Sequence, residues 1–415
     1  MSHFTELVDE LCPEGVSFIK LGDLGVIFGG LTGKTKSDFS DGNARFVSYM
    51  NVLNNNAVDT RRNDFVRVGA AEHQRSLHLG DVLLTGSSET AIDVGMSSVM
   101  TEEPSEPLYL NSFCIGFRPR DSSLLDPDFC KHLFRSDLMR SQLVRTASGV
   151  TRFNMSKARL AEVKVPVPPL EVQREIVRIL DTFSELEAEL EAELEARRVQ
   201  YAYLRQLLLD QVEGDSVALA DLGKWQGGVT PSTANSDYWS SDGMPWLASM
   251  DVSDTSTNEI RGRVTALALK ETSLKVIPAP SVAVVMRSNI LRRRLPIGFI
   301  TVNTTVNQDV RALIPRNGVD ADYVYQALCA DSERIRISCV RTVGSMAAVE
   351  SESFFSWEIP LPSLEVQHRI ADELRIFDAL VNDLTIGLPA EIRARRQQYE
   401  HYRDRLLTFK ELPDE

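Results

Sequence analysis

This chain repeats itself. Leu21-Gly-Asp-Leu-Gly returns as Leu219-Ala-Asp-Leu-Gly, and Gly29-Gly-Leu-Thr as Gly227-Gly-Val-Thr, both 198 residues later. Gly80-Asp-Val-Leu-Leu corresponds to Pro280-Ser-Val-Ala-Val, Val94-Gly95 to Ile297-Gly298, and Asn111 and Pro119 to Asn307 and Pro315. The strongest match closes each half: Val165-Pro-Val-Pro-Pro-Leu-Glu-Val-Gln-Arg-Glu-Ile against Ile359-Pro-Leu-Pro-Ser-Leu-Glu-Val-Gln-His-Arg-Ile. Farther on, Ala196-Arg-Arg-Val-Gln-Tyr answers Ala394-Arg-Arg-Gln-Gln-Tyr. A period near 200 residues is too long for a solenoid, so the repeat means a duplicated unit. The helices and their proline entries agree closely in sequence while the offset drifts inside the globular parts, as expected when a scaffold is kept and its loops change.

Each copy reads as an α+β globular domain followed by a long helix. Met1 to Cys12 forms a short amphipathic pattern, with Phe4, Leu7, Val8 and Leu11 on one side. Short β-like runs follow, such as Arg45-Phe-Val-Ser-Tyr-Met and Asp81-Val-Leu-Leu-Thr, separated by Gly, Asn and Ser clusters. Asp128 to Leu143 has helical spacing, and the prolines after Val165 end that domain. The expected divisions are a first domain over 1–163, a helical segment over 164–213, a second domain over 214–357 and a second helical segment over 358–415.

Glu185 to Ala196 spells Glu-Leu-Glu-Ala three times within the first long helix. Leu186, Leu190 and Leu194 recur every four residues, each step overshooting a turn by about 40°, so they stay within one apolar stripe. The glutamates repel at i,i+4, which makes the block a better helix beside a partner than alone. Arg197 and Arg198 follow it. Ile386-Gly-Leu-Pro389 interrupts that second helix, which has four more residues between Phe377 and Arg395 than the first has between Phe183 and Arg197.

No reaction is visible in the residues. Gly29-Gly-Leu-Thr-Gly-Lys-Thr falls one residue short of a P-loop, and its repeat partner lacks Gly-Lys altogether. There is no Asn-Pro-Pro-aromatic run, no G-x-G loop for an adenosyl cofactor and no metal-ligand spacing among the six histidines and five cysteines. The scattered cysteines and the absence of a signal-like start or a long apolar run lead to an expectation of a cytoplasmic chain away from membranes. A net charge of −14 speaks to the overall field and leaves a local basic surface open.

The informative loops occupy matching places in both halves. Thr85-Gly-Ser-Ser-Glu-Thr follows one strand, and Arg287-Ser-Asn-Ile-Leu-Arg follows its counterpart. Ser148-Gly-Val-Thr-Arg-Phe-Asn has its counterpart in Val343-Gly-Ser-Met. Short hydroxyl and amide side chains with arginine suit base edges and phosphates. The candidates for nucleic-acid contact are therefore Ser48, Asn51, Thr85, Ser87, Ser88, Thr90, Ser148, Thr151, Arg152 and Asn154 in the first half. In the second half they are Thr230, Ser249, Arg287, Ser288, Asn289, Arg292 and Ser345. A coiled-coil scaffold gripping protein partners fits the same repeat and stays open on the residues alone.

The two Pro-x-Leu-Glu-x-Gln-x-x-Ile helix starts, the duplicated domain–helix plan and the repeated tetrapeptide together resemble the specificity (S) subunit of type I restriction-modification systems, over essentially the whole chain. The resemblance implies two target recognition domains, each reading half of a bipartite double-stranded DNA site, separated by two long helices that form an antiparallel coiled coil, in which Arg393, Arg395 and Arg396 of the second helix are expected to approach the Glu-rich block of the first. It also implies that modification (M) subunits, two of them, and restriction (R) subunits are the protein partners. Adenine methylation from S-adenosylmethionine and ATP- and Mg2+-dependent cleavage then belong to those partners, with no cofactor, metal or catalytic residue in this chain. Members of that family carry four-residue repeats whose number sets the gap between half-sites. The first helix start departs from the second in having Pro169 where the other has Ser363.

Overall fold

The computed structural model describes residues 2–252, 260–343, 346–382 and 387–413. Two compact units emerge, one made of residues 1–189 with 393–415 and the other of 190–392. Each helical segment is thus shared out, where the sequence suggested separate helical divisions. The physical reason is that each half-helix buries its apolar residues on the domain beside it. The division falls between Glu189 and Leu190, inside the tetrapeptide repeat.

In the first unit an antiparallel sheet runs in the order Gly25–Gly29, Cys114–Pro119, Val82–Thr85, Ser97–Val99. Val82 to Thr85 are all buried, as a short apolar run in a covered strand should be. A smaller sheet places Ala44–Val47 between Phe65–Val66 and Leu108–Leu110, the latter pairing parallel. The run from Arg45 leaves the strand sooner than its composition suggests: Tyr49–Asn54 is helical. The helical pattern over 128–143 is two helices, Pro127–Leu133 and Asp137–Arg145. Asp126 caps the first and Ser136 caps the second by accepting from Met139 N, which breaks the run between them.

The second unit repeats this plan by itself. Its sheet order is Gly223–Gly227, Val310–Pro315, Ser281–Val285, Ile297–Ile300, and its small sheet again holds one parallel pair, Trp246 with Thr305 and Leu247 with Val306. Here the helix after the sheet, Ala321–Cys339, is unbroken.

The repeated glutamine of the helix starts is a buried clamp. Gln173 accepts from Asp126 N at 2.8 Å and donates to Leu124 O and Pro168 O at 2.8 and 2.7 Å. Gln367 does the same with Asp320 N, Gly318 O and Pro362 O at 2.8, 3.1 and 2.8 Å. Both side chains are fully buried, so three otherwise orphaned backbone groups depend on one amide. Each clamp ties the start of a long helix to the loop that launches its domain's own helix.

The helices then pack within each unit. In the first, Val172, Ile176 and Leu180 of the helix Leu170–Asp210 join the domain core. Its partner is the helix Leu388–Leu406, which runs antiparallel: Glu187 pairs with Arg396, and Phe183 stacks on Tyr402 at 5.3 Å. The arginine–glutamate approach expected from the sequence is therefore present through Arg396, while Arg395 donates to Gln398 and Arg393 is exposed. In the second unit Leu194, Tyr201 and Leu209 share a core with Ile370, Leu374 and Val381 of the helix Leu364–Asn382. Leu190 packs against that core but Leu186 is exposed, so the apolar stripe expected to hold all three leucines begins at Leu190. Arg197 pairs with Glu193 at 3.2 Å and Arg198 with Glu195 at 2.5 Å along the helix surface.

Candidate nucleic-acid interface

An open cleft of about 410 Å³ lies at the sheet crest of the first unit, lined among others by Gly29, Gly86, Ser87, Phe113, Arg152, Asn154 and Lys157. Strand pairing brings its polar residues together. Ser87 faces Asn154 across a short ladder, and the Ser87 hydroxyl donates to Asn154 Oδ1 at 2.8 Å. Arg152 Nε donates to Ser87 Oγ at 2.9 Å while its guanidinium lies 4.9 Å from the Phe113 ring centroid. The hairpin that carries Arg152 turns at Gly149 with φ +138°, where a Cβ would lie 1.9 Å from Arg152 O, so only glycine closes it. Burial pushes the nearby Cys114 thiol up to about 12, which keeps it protonated and no nucleophile.

The equivalent crest of the second unit follows from register. Asn111 and Asn307 each accept the backbone N–H two residues on, from Phe113 and Asp309, at 2.9 and 3.0 Å. Phe113 therefore corresponds to Asp309. Val82 faces Phe117 and Val282 faces Leu313, which sets Ser87 against Arg287. Ser87 pairs with Asn154, and Arg287 bridges Ala348. At this crest Arg287 Nε donates to Asp309 Oδ1 at 2.7 Å, Gln308 donates to Asp309 Oδ2 at 3.3 Å, and Thr230 donates to Gln308 at 2.6 Å. The repeated glycine pair leaves room for a cation in both units. A Cβ on Gly29 would sit 3.1 Å from Lys157 Nζ, and one on Gly227 would fall on the Arg311 guanidinium.

The candidate residues sort by burial and bonding. Asn51, Thr85 and Ser88 are buried and bonded internally, which corrects their expected role as contacts. Asn51 bonds Asp59 O and N, Thr85 bonds Asp93 O and Met96 N, and Ser88 accepts from Thr90 N. Their short polar chains hold loops together. Ser48 donates to Asp64 at 2.6 Å and Thr90 to Asp93 at 2.7 Å, both also local ties. Ser148, Thr151, Arg152, Asn154, Thr230, Arg287, Asn289 and Arg292 are exposed. Ser288 caps the turn Asn289–Arg292, and Ser249 is half-buried beside the end of the strand Trp239–Leu247. Ser345 lies outside the described residues. Phe113, Lys157, Gln308, Asp309 and Arg311 were not singled out from the sequence. Counting from the repeated Asn111 and Asn307 would have found three of them. Among the described residues no group of three or more His, Cys, Asp or Glu could hold a metal ion, and no helix is long and apolar enough to cross a membrane.

A family model described as type I restriction modification DNA specificity domain matches residues 13–196 and again 212–394. The chain belongs to that family. Each copy of the match contains one of the two crests. The chain is 40% identical, over 60% of its length, to the Escherichia coli type I restriction enzyme EcoR124I/EcoR124II specificity subunit, of which it covers 64%. It is 30% identical over 41% of its length to the MjaIX specificity subunit of Methanocaldococcus jannaschii, of which it covers 39%. In fold it is similar to a solved chain from work on complex assembly and conformational transition of the type I R-M system. That likeness has a TM-score of 0.62 and 16% identity, and it covers 95% of this chain and 98% of that one.

Proposed function

We propose that this specificity-family chain is the DNA-reading subunit of a type I restriction-modification complex. Each unit reads half of a bipartite double-stranded site through its crest. The observation that carries this is the contrast between the two crests: one backbone plan presents Ser87, Phe113 and Asn154 in one unit and Arg287, Asp309 and Ala348 in the other. A shared frame with different hydrogen-bonding groups is what reading two different half-sites requires. Two methyltransferase subunits and the restriction subunits dock on the chain, which works in the cytoplasm. S-adenosylmethionine, ATP and Mg2+ act in those partners, and this chain contributes sequence choice without a reaction of its own.

The tetrapeptide repeat supplies the spacing. Each four-residue unit adds about 6 Å of helix, nearly two base-pair steps. Removing Glu189 to Ala192 is expected to shorten the gap between half-sites and leave both halves unchanged.

Methylome sequencing tests the function. Deleting the gene in a strain with intact partner genes removes adenine methylation at one bipartite motif; an unchanged methylome contradicts the proposal.

A further inference from the structure

Each crest holds one arginine by its Nε atom. Arg152 Nε donates to Ser87 Oγ at 2.9 Å, and the ring of Phe113 backs the guanidinium at 4.9 Å. Arg287 Nε donates to Asp309 Oδ1 at 2.7 Å. Among the described residues neither arginine donates a hydrogen bond from its terminal nitrogens, and both side chains are exposed. The anchors occupy crossed positions: Ser87 corresponds to Arg287, and Phe113 to Asp309. The two units therefore reach the same device by different residues.

An anchored Nε fixes the plane of the fork and leaves Nη1 and Nη2 to donate outward. Two parallel donors in a fixed plane match the O6 and N7 acceptors of guanine in the major groove. A flexible cation on a long stem suits a phosphate instead. Asp309 offsets the charge of Arg287, which weakens the pull of that arginine on the phosphate backbone and leaves hydrogen bonding as its main use. The Phe113 face does comparable work for Arg152, since a stacked guanidinium cannot swing out of plane without losing that contact.

We infer that Arg152 and Arg287 each read one guanine, one in each half-site, and that Ser87, Phe113 and Asp309 are positioning residues for them. The inference rests on the DNA-reading function proposed above and assigns base identity within it.

The test uses the full complex assembled with its methyltransferase subunits and a pool of duplexes randomised at every position. The wild-type complex selects guanine at one position in each half-site. R152K keeps the charge and removes the fork, so it lowers the preference for guanine at one position by about tenfold or more and leaves the other half-site intact. R287K does the same in the other half. S87A, F113A and D309N give smaller losses at the same positions, a base-specific change that a general weakening of the fold would not produce. An R152K complex with the wild-type base profile, or one weakened equally on all sequences, overturns the arginine assignment while leaving DNA reading in place. A wild-type complex with no base preference overturns the DNA-reading function itself.

Discussion

His132 in the first unit and Gln326 in the second occupy the same place, where each domain's helix meets the long helices. His132 is fully buried, with Nε2 2.8 Å from Asp181 Oδ1 and Nδ1 2.8 Å from the Tyr399 hydroxyl. The Asp181 carboxylate only accepts, so Nε2 carries the proton and Tyr399 donates to Nδ1. In the second unit the Tyr201 hydroxyl donates to Gln326 Oε1 at 3.0 Å, and Gln326 Nε2 donates to Asp322 Oδ1 at 3.4 Å. Glutamine thus reproduces the acceptor and the donor of a neutral histidine. Here the duplication preserved hydrogen-bond polarity while changing residue type. At the crests it changed the polarity itself, from Ser87 and Phe113 to Arg287 and Asp309. A scaffold joint must stay satisfied in both copies, whereas a reading surface is free to diverge.

The comparison can be broken most severely at the clamps. Gln173→Ala leaves Asp126 N, Leu124 O and Pro168 O without their buried partner. It should cost the first unit about 3–5 kcal/mol. Gln367→Ala should do the same to the second unit, and hydrogen exchange resolved along the chain would show protection lost only in the unit carrying the change. If either substitution left its own loop protected, the clamp would not be structural.

A smaller effect separates the two joints by pH. Burial holds the His132 imidazole below its ordinary value, against the pull of Asp181 upward. Lys131 and Asp128 on its own helix also face it electrostatically, while Tyr399 adds a hydrogen bond from the C-terminal helix. A depressed imidazole means that the unfolded chain binds the proton first. The stability it supports is therefore present above about pH 6.5 and declines as pH falls through the folded value. The first unit should lose exchange protection from pH 7 to 5.5, and His132→Gln should remove the part due to this group. Gln326→His should transfer a similar sensitivity to the second unit. An unaltered pH profile in His132→Gln would show that the histidine is not its source.

The smallest expected effect is at the helix pair of the first unit. Arg396 is about half exposed beside Glu187, so Arg396→Gln should shift stability by under about 1 kcal/mol. Thermal melting would detect a larger contribution, which would mean that the pair is shielded from solvent in the working complex.

Much of this organisation was legible in the chain. The duplication, the α+β plan and the helix starts could be read directly, because a glycine pair or a buried glutamine leaves the same letters in both copies. The roles of those letters were less legible. Gln173 stood out by repetition, yet its three backbone partners lie in loops that the sequence does not place beside it. Asn51, Thr85 and Ser88 looked like contacts because short polar side chains serve loop ties and base edges equally well. Ser87 and Asn154 are separated by 67 residues, and Glu187 and Arg396 by 209, so only folding brings them together. Lys157, an isolated lysine after a capping serine, carries no pattern in the sequence, and only folding sets it over Gly29.

In the proposed function the crests set the half-sites while the shared scaffold holds them. The most direct test of this division of labour replaces the first crest with the groups of the second, as Ser87→Arg, Phe113→Asp and Asn154→Ala together, and reads the methylated motif of a strain with intact partner genes. The expected result is a motif changed in one half, with the other half and the gap retained. A motif unchanged in both halves, or altered in both, would contradict the account.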